Sequence, residues 1–134
     1  MFGAPSRFAP ASAVRRAAYA DVDVAARVEG ASPHGLVQIM FEELLKGLDT
    51  LRAAERSGTG PRHGGIQARV VSILQGLKGG LDFVRGGDLA RTLDRIYREA
   101  LRLVTTPYGA ARAAALDTAR AMVGDIAGAW ASIG

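Results

Sequence analysis

The sequence predicts an all-α fold, an antiparallel four-helix bundle, on the basis of three observations. Of its 134 residues, 49% are hydrophobic and 22% are charged, which is enough apolar material for one compact core. Aromatic residues make up only 6%, whereas Ala, Leu and Arg abound, a mixture that favours helices over strands. Hydrophobic residues also recur at helical spacing in consecutive segments with short connections between them, as they do in antiparallel bundles.

The first part of the chain is predicted to lie outside the bundle. Residues 1–18 combine prolines with many small residues, which predicts a mobile N-terminal arm. Residues 19–29 carry Tyr19 and scattered valines, which predict a short segment able to dock on an apolar surface. Residues 19–134 are therefore predicted to form a single helical domain that follows the arm.

Helix one is predicted to begin at Pro33 and to end near Arg56 or Ser57. The Ser32 hydroxyl can cap the free N–H groups of a helix start, and Pro33 fits the first helical position because no intrahelical bond is lost there. The run of Gly and Pro that follows Ser57 then stops the helix. Its apolar face comprises Leu36, Val37, Met40, Phe41, Leu44, Leu45, Leu48 and Leu51.

Helices two and three are predicted on either side of a glycine-rich junction. Helix two should run from about Gly65 to Val84, with Val84 on its inward face. The next residues, Arg85-Gly86-Gly87-Asp88, indicate a helix stop followed by a new N-cap at Asp88. Helix three is predicted to follow and to end before Thr105. Its inward-facing apolar residues are Leu89, Leu93, Ile96, Tyr97, Ala100, Leu101 and Val104.

Helix four is predicted from Tyr108 or Gly109 to Ser132. Alanine dominates this segment, and Leu116, Val123 and Trp130 are among its few large apolar residues. Small side chains let a neighbouring helix approach closely, so this segment completes the predicted bundle.

The residue types needed for catalysis or cofactor binding are missing, so we expect neither an enzyme nor a cofactor. The chain has no Cys, and its two His residues are too few and too far apart for a zinc centre. The segment from Leu74 to Gly80 looks like the His-x-Leu-Lys-Gly signature of histidine phosphotransfer domains, but Gln75 stands where the phosphorylated His would be. No run is long and apolar enough for a membrane span or a signal peptide, which predicts a cytoplasmic protein without membrane insertion.

The net charge of +4 raises an alternative, a basic helical module that binds nucleic acid or another protein. Acidic residues lie within a turn of the basic ones on helix three, however, which favours a solvated face of ion pairs over a phosphate-binding surface. The basic residues of this stripe are Arg91, Arg95, Arg98 and Arg102, and their acidic neighbours are Asp88, Asp94 and Glu99.

Two motif blocks resemble the FliS family of flagellar secretion chaperones. The first block follows Tyr19 and is Ala31-Ser32-Pro33-x-x-Leu36-Val37-x-Ile39-Met40-Phe41-Glu42. The second is Leu81-Asp82-Phe83-x-Arg85-Gly86-Gly87-Asp88-Leu89-Ala90-x-x-Leu93-x-x-Ile96-Tyr97. The chain departs from the family pattern at two places. In helix one it has Met40-Phe41-Glu42-Glu43, where Leu-Tyr-Asp-Gly is usual. In helix three it has Glu99, where the family usually has a second aromatic residue.

The resemblance implies a cytosolic chaperone that binds the disordered C-terminal segment of flagellin. Such a protein would prevent premature polymerisation and aid delivery to the flagellar type III export apparatus, with export gate components as further partners. We expect a monomer or a weak homodimer that does not bind nucleic acid. The residues predicted to contact the client or to line its groove are Tyr19, Met40, Leu44, Leu89, Leu93, Tyr97 and Leu101.

Overall fold

The computed structural model describes residues 24–133, and every regular element in that range is helical. Residues 24–30 are helical, and a 3₁₀ turn covers Gly60–His63. Helices α1 to α4 span Pro33–Ser57, Gly64–Gly79, Phe83–Val104 and Arg112–Ser132. The predicted all-α class is therefore confirmed. The predicted arm over residues 1–18 lies outside the described residues, and the predicted domain limits stay a prediction.

The chain divides into two compact units, Met1–Ile39 and Met40–Gly134. Within the first unit, α1 begins where the sequence predicts. The Ser32 hydroxyl accepts a hydrogen bond from the Gly35 backbone N–H at 3.0 Å, and the Ser32 carbonyl accepts one from Leu36 at 2.8 Å. Ser32 is thus the N-cap, because its side chain satisfies a donor that the first helical turn leaves without a partner.

The predicted C-terminal end of α1 at Ser57 is also confirmed. Gly58 adopts a left-handed φ of 76°, and the Thr59 N–H donates to the Ala54 carbonyl at 2.8 Å. A glycine in this conformation followed by a bond back to the last turn is a common way for a helix to stop. The 3₁₀ turn at Gly60–His63 then leads directly into α2.

The predicted boundary between helices two and three is wrong. α2 ends at Gly79 rather than Val84, and α3 begins at Phe83, capped by Asp82. The Asp82 carboxylate accepts bonds from the N–H groups of Val84 and Arg85, both at 3.1 Å, so it takes the role that the sequence assigned to Asp88. Val84 consequently lies at the start of α3 and is exposed, not inward as predicted.

A break in helical geometry nevertheless occurs where the sequence places a stop. Gly87, inside α3, has φ 50° and ψ −125°, which separates the first turn of the helix from the rest. Further along, α3 ends at Val104 as predicted. α4 begins only at Arg112, because Gly109 has a φ of 147° that is incompatible with a helix.

The core of the second unit is built from one face of each helix. α1 and α2 approach closely, since a Cβ on Gly47 would lie 2.6 Å from a methyl of Val70. The Phe41 ring on α1 meets the edge of Trp130 on α4 with ring centroids 6.3 Å apart. The largest fully buried side chains are those of Phe41, Leu44, Leu48, Leu51, Val70, Leu74, Val104, Leu116 and Val123.

Two ion pairs, one helical turn apart, link α1 to α4. Asp49 pairs with Arg120 at 2.8 Å, and Arg52 pairs with Asp117 at 2.8 Å. Because residue numbers rise on α1 as they fall on α4, these two helices run in opposite directions. α2 and α3 pack together and also run in opposite directions. A hydrogen bond from Gln67 to Val104 joins them at one end, and an ion pair between Lys78 and Asp94 joins them at the other.

Candidate functional site

Large apolar side chains are exposed where α2 gives way to α3. Val84 is 94% exposed, Leu89 63% and Phe83 47%. We call these three the junction residues. Leaving such side chains in water forgoes the free energy of burying them, about 1.5–3 kcal/mol for each full burial. Exposed apolar residues that lie close together commonly mark a surface that binds a partner.

The backbone around the junction residues depends on two glycines. Gly87 adopts a φ of 50°, which residues with a side chain rarely accept. A Cβ on Gly86 would lie 2.8 Å from the Cβ of Ala90, so a larger residue there would push the first turn away from the rest of α3. The break in helical geometry between the first turn of α3 and Leu89 therefore depends on Gly86 and Gly87.

The predicted contact residues fall into different environments. Leu89 is exposed, whereas Met40, Leu93 and Leu101 are half-buried. Leu44 and Tyr97 are buried in the core, and a client could touch them only if the residues covering them moved away. Tyr19 lies outside the described residues. Sequence reasoning placed Val84 in the core, although it is the most exposed of the junction residues, because the helix-two pattern was extended past the true end of that helix.

Burial also changes the chemistry of Tyr97. The loss of contact with water raises the pKa of its phenol to about 12, because the charged phenolate is disfavoured away from solvent. Tyr97 is therefore neutral at physiological pH.

The arginine stripe on α3 is largely neutralised by its neighbours. Arg98 pairs with Asp94 at 2.8 Å, Arg102 pairs with Glu99, and Arg91 pairs with Asp88. The hydrogen bonds between Arg102 and Glu99 raise the pKa of the former and lower the pKa of the latter. This is the solvated ion-pair face that the sequence favours.

A second cluster of polar side chains was missed by sequence reasoning. Arg112, the first residue of α4, is 2% exposed. Its guanidinium donates to the carbonyls of Val104 at 3.0 Å and Thr106 at 2.8 Å, and to the side-chain oxygen of Gln67 at 2.8 Å. The guanidinium Nε also lies 3.3 Å from Glu55 Oε1.

Two further contacts complete this arrangement, which we call the Arg112 cluster. The guanidinium carbon lies 4.6 Å from the centre of the Tyr108 ring, within the range of a cation–π interaction. Gln67 also donates from Nε2 to the Val104 carbonyl at 2.6 Å. No local sequence pattern predicts this cluster, because an arginine at the start of a helix is usually exposed to solvent.

Within residues 24–133, no His, Asp and Glu residues gather in a group of three or more that could hold a metal ion. None of the helices in this range combines the length and the apolar composition needed to cross a bilayer.

The chain matches the protein family described as flagellar protein FliS over residues 15–134. It is 30% identical over 115 residues to the flagellar secretion chaperone FliSB of Pseudomonas aeruginosa, covering 86% of this chain and 91% of that protein. It is 31% identical over 117 residues to the flagellar secretion chaperone FliS of Salmonella typhimurium, covering 87% of each. Its identity to the flagellar secretion chaperone FliS of Vibrio cholerae is 28% over 116 residues, covering 87% of this chain and 85% of that protein.

Proposed function

This chain belongs to the FliS family of flagellar secretion chaperones, and on that premise we propose that it binds the disordered C-terminal segment of flagellin. By covering that segment, the chaperone prevents premature polymerisation and aids delivery to the flagellar type III export apparatus. The family consists of chaperones and not of enzymes, and its role lies in flagellum biogenesis and protein export.

The observation that carries this proposal is the exposure of Phe83, Val84 and Leu89 at the start of α3. A disordered client can fold as it binds, laying the apolar face of a helix against such residues. Binding of this kind relies on apolar contacts and shape, and it requires no reactive side chain.

The finer architecture that we propose is an antiparallel four-helix bundle made of α1 to α4. The opposite directions of α1 and α4, and of α2 and α3, support it. In such a bundle the grooves between neighbouring helices are continuous, so a client could occupy more than one of them.

The proposed contact set keeps the residues named from the sequence and gives them different roles. Leu89 makes direct contact, because it is exposed in the free chaperone. Met40, Leu93 and Leu101 line the adjoining groove with their half-buried side chains. Leu44 and Tyr97 support that groove from the core, and Tyr19 contributes from the segment that precedes the bundle.

The proposed setting is the cytosol, where flagellin is made before export. Further proposed partners are components of the export gate, which would receive the loaded chaperone. The proposed oligomeric state is a monomer or a weak homodimer. Nucleic acid is not a proposed partner, since three of the four arginines in the α3 stripe already pair with carboxylates.

The decisive experiment compares two forms of flagellin from the same bacterium. Isothermal titration calorimetry would measure binding of the purified chaperone to monomeric flagellin and to flagellin that lacks its C-terminal segment. We expect binding to the first form only. Equal binding to both forms, or none to either, would contradict the proposed function.

A pair of variants tests the contact surface. Leu89→Ser removes an exposed apolar side chain from the proposed surface, and we expect it to weaken flagellin binding by about tenfold or more. Ile133→Ser is the matched control, because Ile133 is 70% exposed and lies outside the proposed set. Equal losses in the two variants would show that the effect comes from surface hydrophobicity in general and not from the α3 surface.

A further inference from the structure

The Arg112 cluster joins chain segments that are distant in sequence. Through one guanidinium, α4 contacts Glu55 near the end of α1, Gln67 in the first turns of α2, and the carbonyl of Val104 at the end of α3. The connection between α3 and α4 is held as well, through the Thr106 carbonyl and the Tyr108 ring.

We propose that the Arg112 cluster is a clamp that holds one end of the unit Met40–Gly134 closed, so that this unit opens from the α2–α3 junction instead. This inference goes beyond the proposed function, since it concerns the chaperone without any client. It predicts which end of this unit moves first when its helices separate.

Burial explains why the clamp is rigid. Burying a guanidinium away from water is costly unless hydrogen bonds compensate, and moving Arg112 away would break the three bonds that its two Nη atoms donate. The Val104 carbonyl lies at a helix end that lacks intrahelical donors. It accepts from both Gln67 Nε2 and Arg112 Nη1, so this one oxygen joins α2, α3 and α4. Opening this end would break several hydrogen bonds at once.

Packing around the cluster leaves little room for rearrangement. Gly60 is buried, and a Cβ on it would lie 3.1 Å from Glu55 Oε1 and 3.1 Å from the Tyr108 ring. The 3₁₀ turn therefore packs closely against the Glu55 carboxylate and the Tyr108 ring, both of which contact Arg112.

The α2–α3 junction has the opposite character. Its apolar side chains face water, and Gly79, Gly80, Gly86 and Gly87 lie within or beside it. The bonds that Asp82 accepts there are local, to Val84 and Arg85. The ion pair that joins α2 to α3 nearest the junction, Lys78 to Asp94, spans 3.8 Å. Segments with few buried contacts and exposed backbone open at low free energy.

Native-state hydrogen exchange followed by mass spectrometry tests the clamp on the full chain. In the wild type we expect amides in residues 101–106 and 115–119 to exchange at least about a hundredfold more slowly than those in residues 80–88. In Arg112→Met, exchange in the two slow segments should rise by about a hundredfold, whereas residues 80–88 should change by less than about threefold. Residues 44–51 report on global unfolding and should rise by less than the clamp segments.

The control is Arg102→Met, which removes an exposed arginine from the same region, paired with Glu99 one turn away on its own helix. We expect no regional change in that variant. Should Arg112→Met fail to fold, Gln67→Met removes one partner of the cluster and should accelerate exchange about tenfold in the same two segments.

Two results would overturn the proposal. One is equal protection of residues 80–88 and 101–106 in the wild type. The other is a uniform rise across residues 44–51, 80–88 and 101–106 in whichever of the two cluster variants folds, or no rise in any of them.

Discussion

The Arg112 cluster and the α2–α3 junction differ in which side chains they bury: the first buries a charged side chain, and the second exposes apolar ones. Around Arg112, a charged group is almost completely buried, and oxygens from Glu55, Gln67 and Val104 surround it. At the junction, Val84 and Leu89 face water although they are apolar. Each arrangement is unfavourable for an isolated side chain.

The difference indicates where internal contacts hold the helices together and where apolar surface stays available. A buried charge that donates hydrogen bonds to several distant segments holds those segments in one arrangement. Covering exposed leucine, valine and phenylalanine side chains with a partner removes apolar surface from water, which lowers the free energy. The unit Met40–Gly134 thus has an end at which a buried arginine joins its helices and an end at which apolar side chains face water.

The largest effect is expected from removing the acidic partner of the buried arginine. Glu55→Ala leaves the Arg112 guanidinium buried without its carboxylate, and we expect the free energy of unfolding to fall by about 3–5 kcal/mol. Urea denaturation followed by circular dichroism measures this. Glu99→Ala, which breaks the exposed pair with Arg102, should leave the urea midpoint unchanged; a loss as large as that of Glu55→Ala would remove the contrast between the two environments.

A second comparison separates core from contact residues among those predicted from the sequence. Leu44→Ala opens a cavity in the core and should lower the free energy of unfolding by about 2–5 kcal/mol. Leu89→Ala truncates an exposed side chain and should change it by less than about 0.5 kcal/mol. Thermal denaturation of the two variants in parallel provides the measurement. A Leu89→Ala variant as unstable as Leu44→Ala would show that Leu89 is not a free surface residue.

The junction backbone is tested by a pair of glycine substitutions. Gly87→Ala places a side chain at a φ of 50° and should lower stability by about 1–2 kcal/mol. Gly128→Ala, in the exposed interior of α4 with open space around it, should raise stability by about 0.5–1 kcal/mol. Chemical denaturation resolves both signs, and stabilisation by Gly87→Ala would argue against the break in α3.

The last effect concerns Tyr97, and stability changes through this residue only at alkaline pH, where the phenol titrates. Burial raises the pKa of this phenol to about 12, so the folded chain holds the proton more tightly than the unfolded chain, whose tyrosines titrate near about 10. The stabilisation is complete below pH of about 10 and is lost as the pH rises towards 12. Thermal denaturation across this window measures the loss, and Tyr97→Phe should remove the part due to this residue. An identical pH profile in the variant would show that Tyr97 does not titrate as its burial implies.

Local signals in the sequence were sufficient wherever neighbouring residues decide the outcome. The start of α1 follows from Ser32 and Pro33, whose effects reach only the next turn of helix. The end of α1 follows in the same way from Gly58. The prediction failed at α2, where hydrophobic spacing continued past Gly79 although the helix did not, because spacing alone cannot show which apolar residues will find a partner.

The candidate site was predictable in part. The motif around Gly86 and Gly87 marked the start of α3 as a special segment, and the exposure of Leu89 agrees with a contact role without testing it. The environments of Leu44 and Tyr97 could not be read from the same pattern, because contact residues and core residues share helical spacing.

By itself, the sequence determined the helical class, the caps of α1, the end of α3 and a composition without cysteine or clustered catalytic residues. These properties depend on composition and on residues a few positions apart. Only the tertiary structure decided that Arg112 is buried while Val84 is exposed. The reason is that a side chain's burial depends on partners far along the chain, such as Gln67, which lies 45 residues from Arg112 and accepts its hydrogen bond.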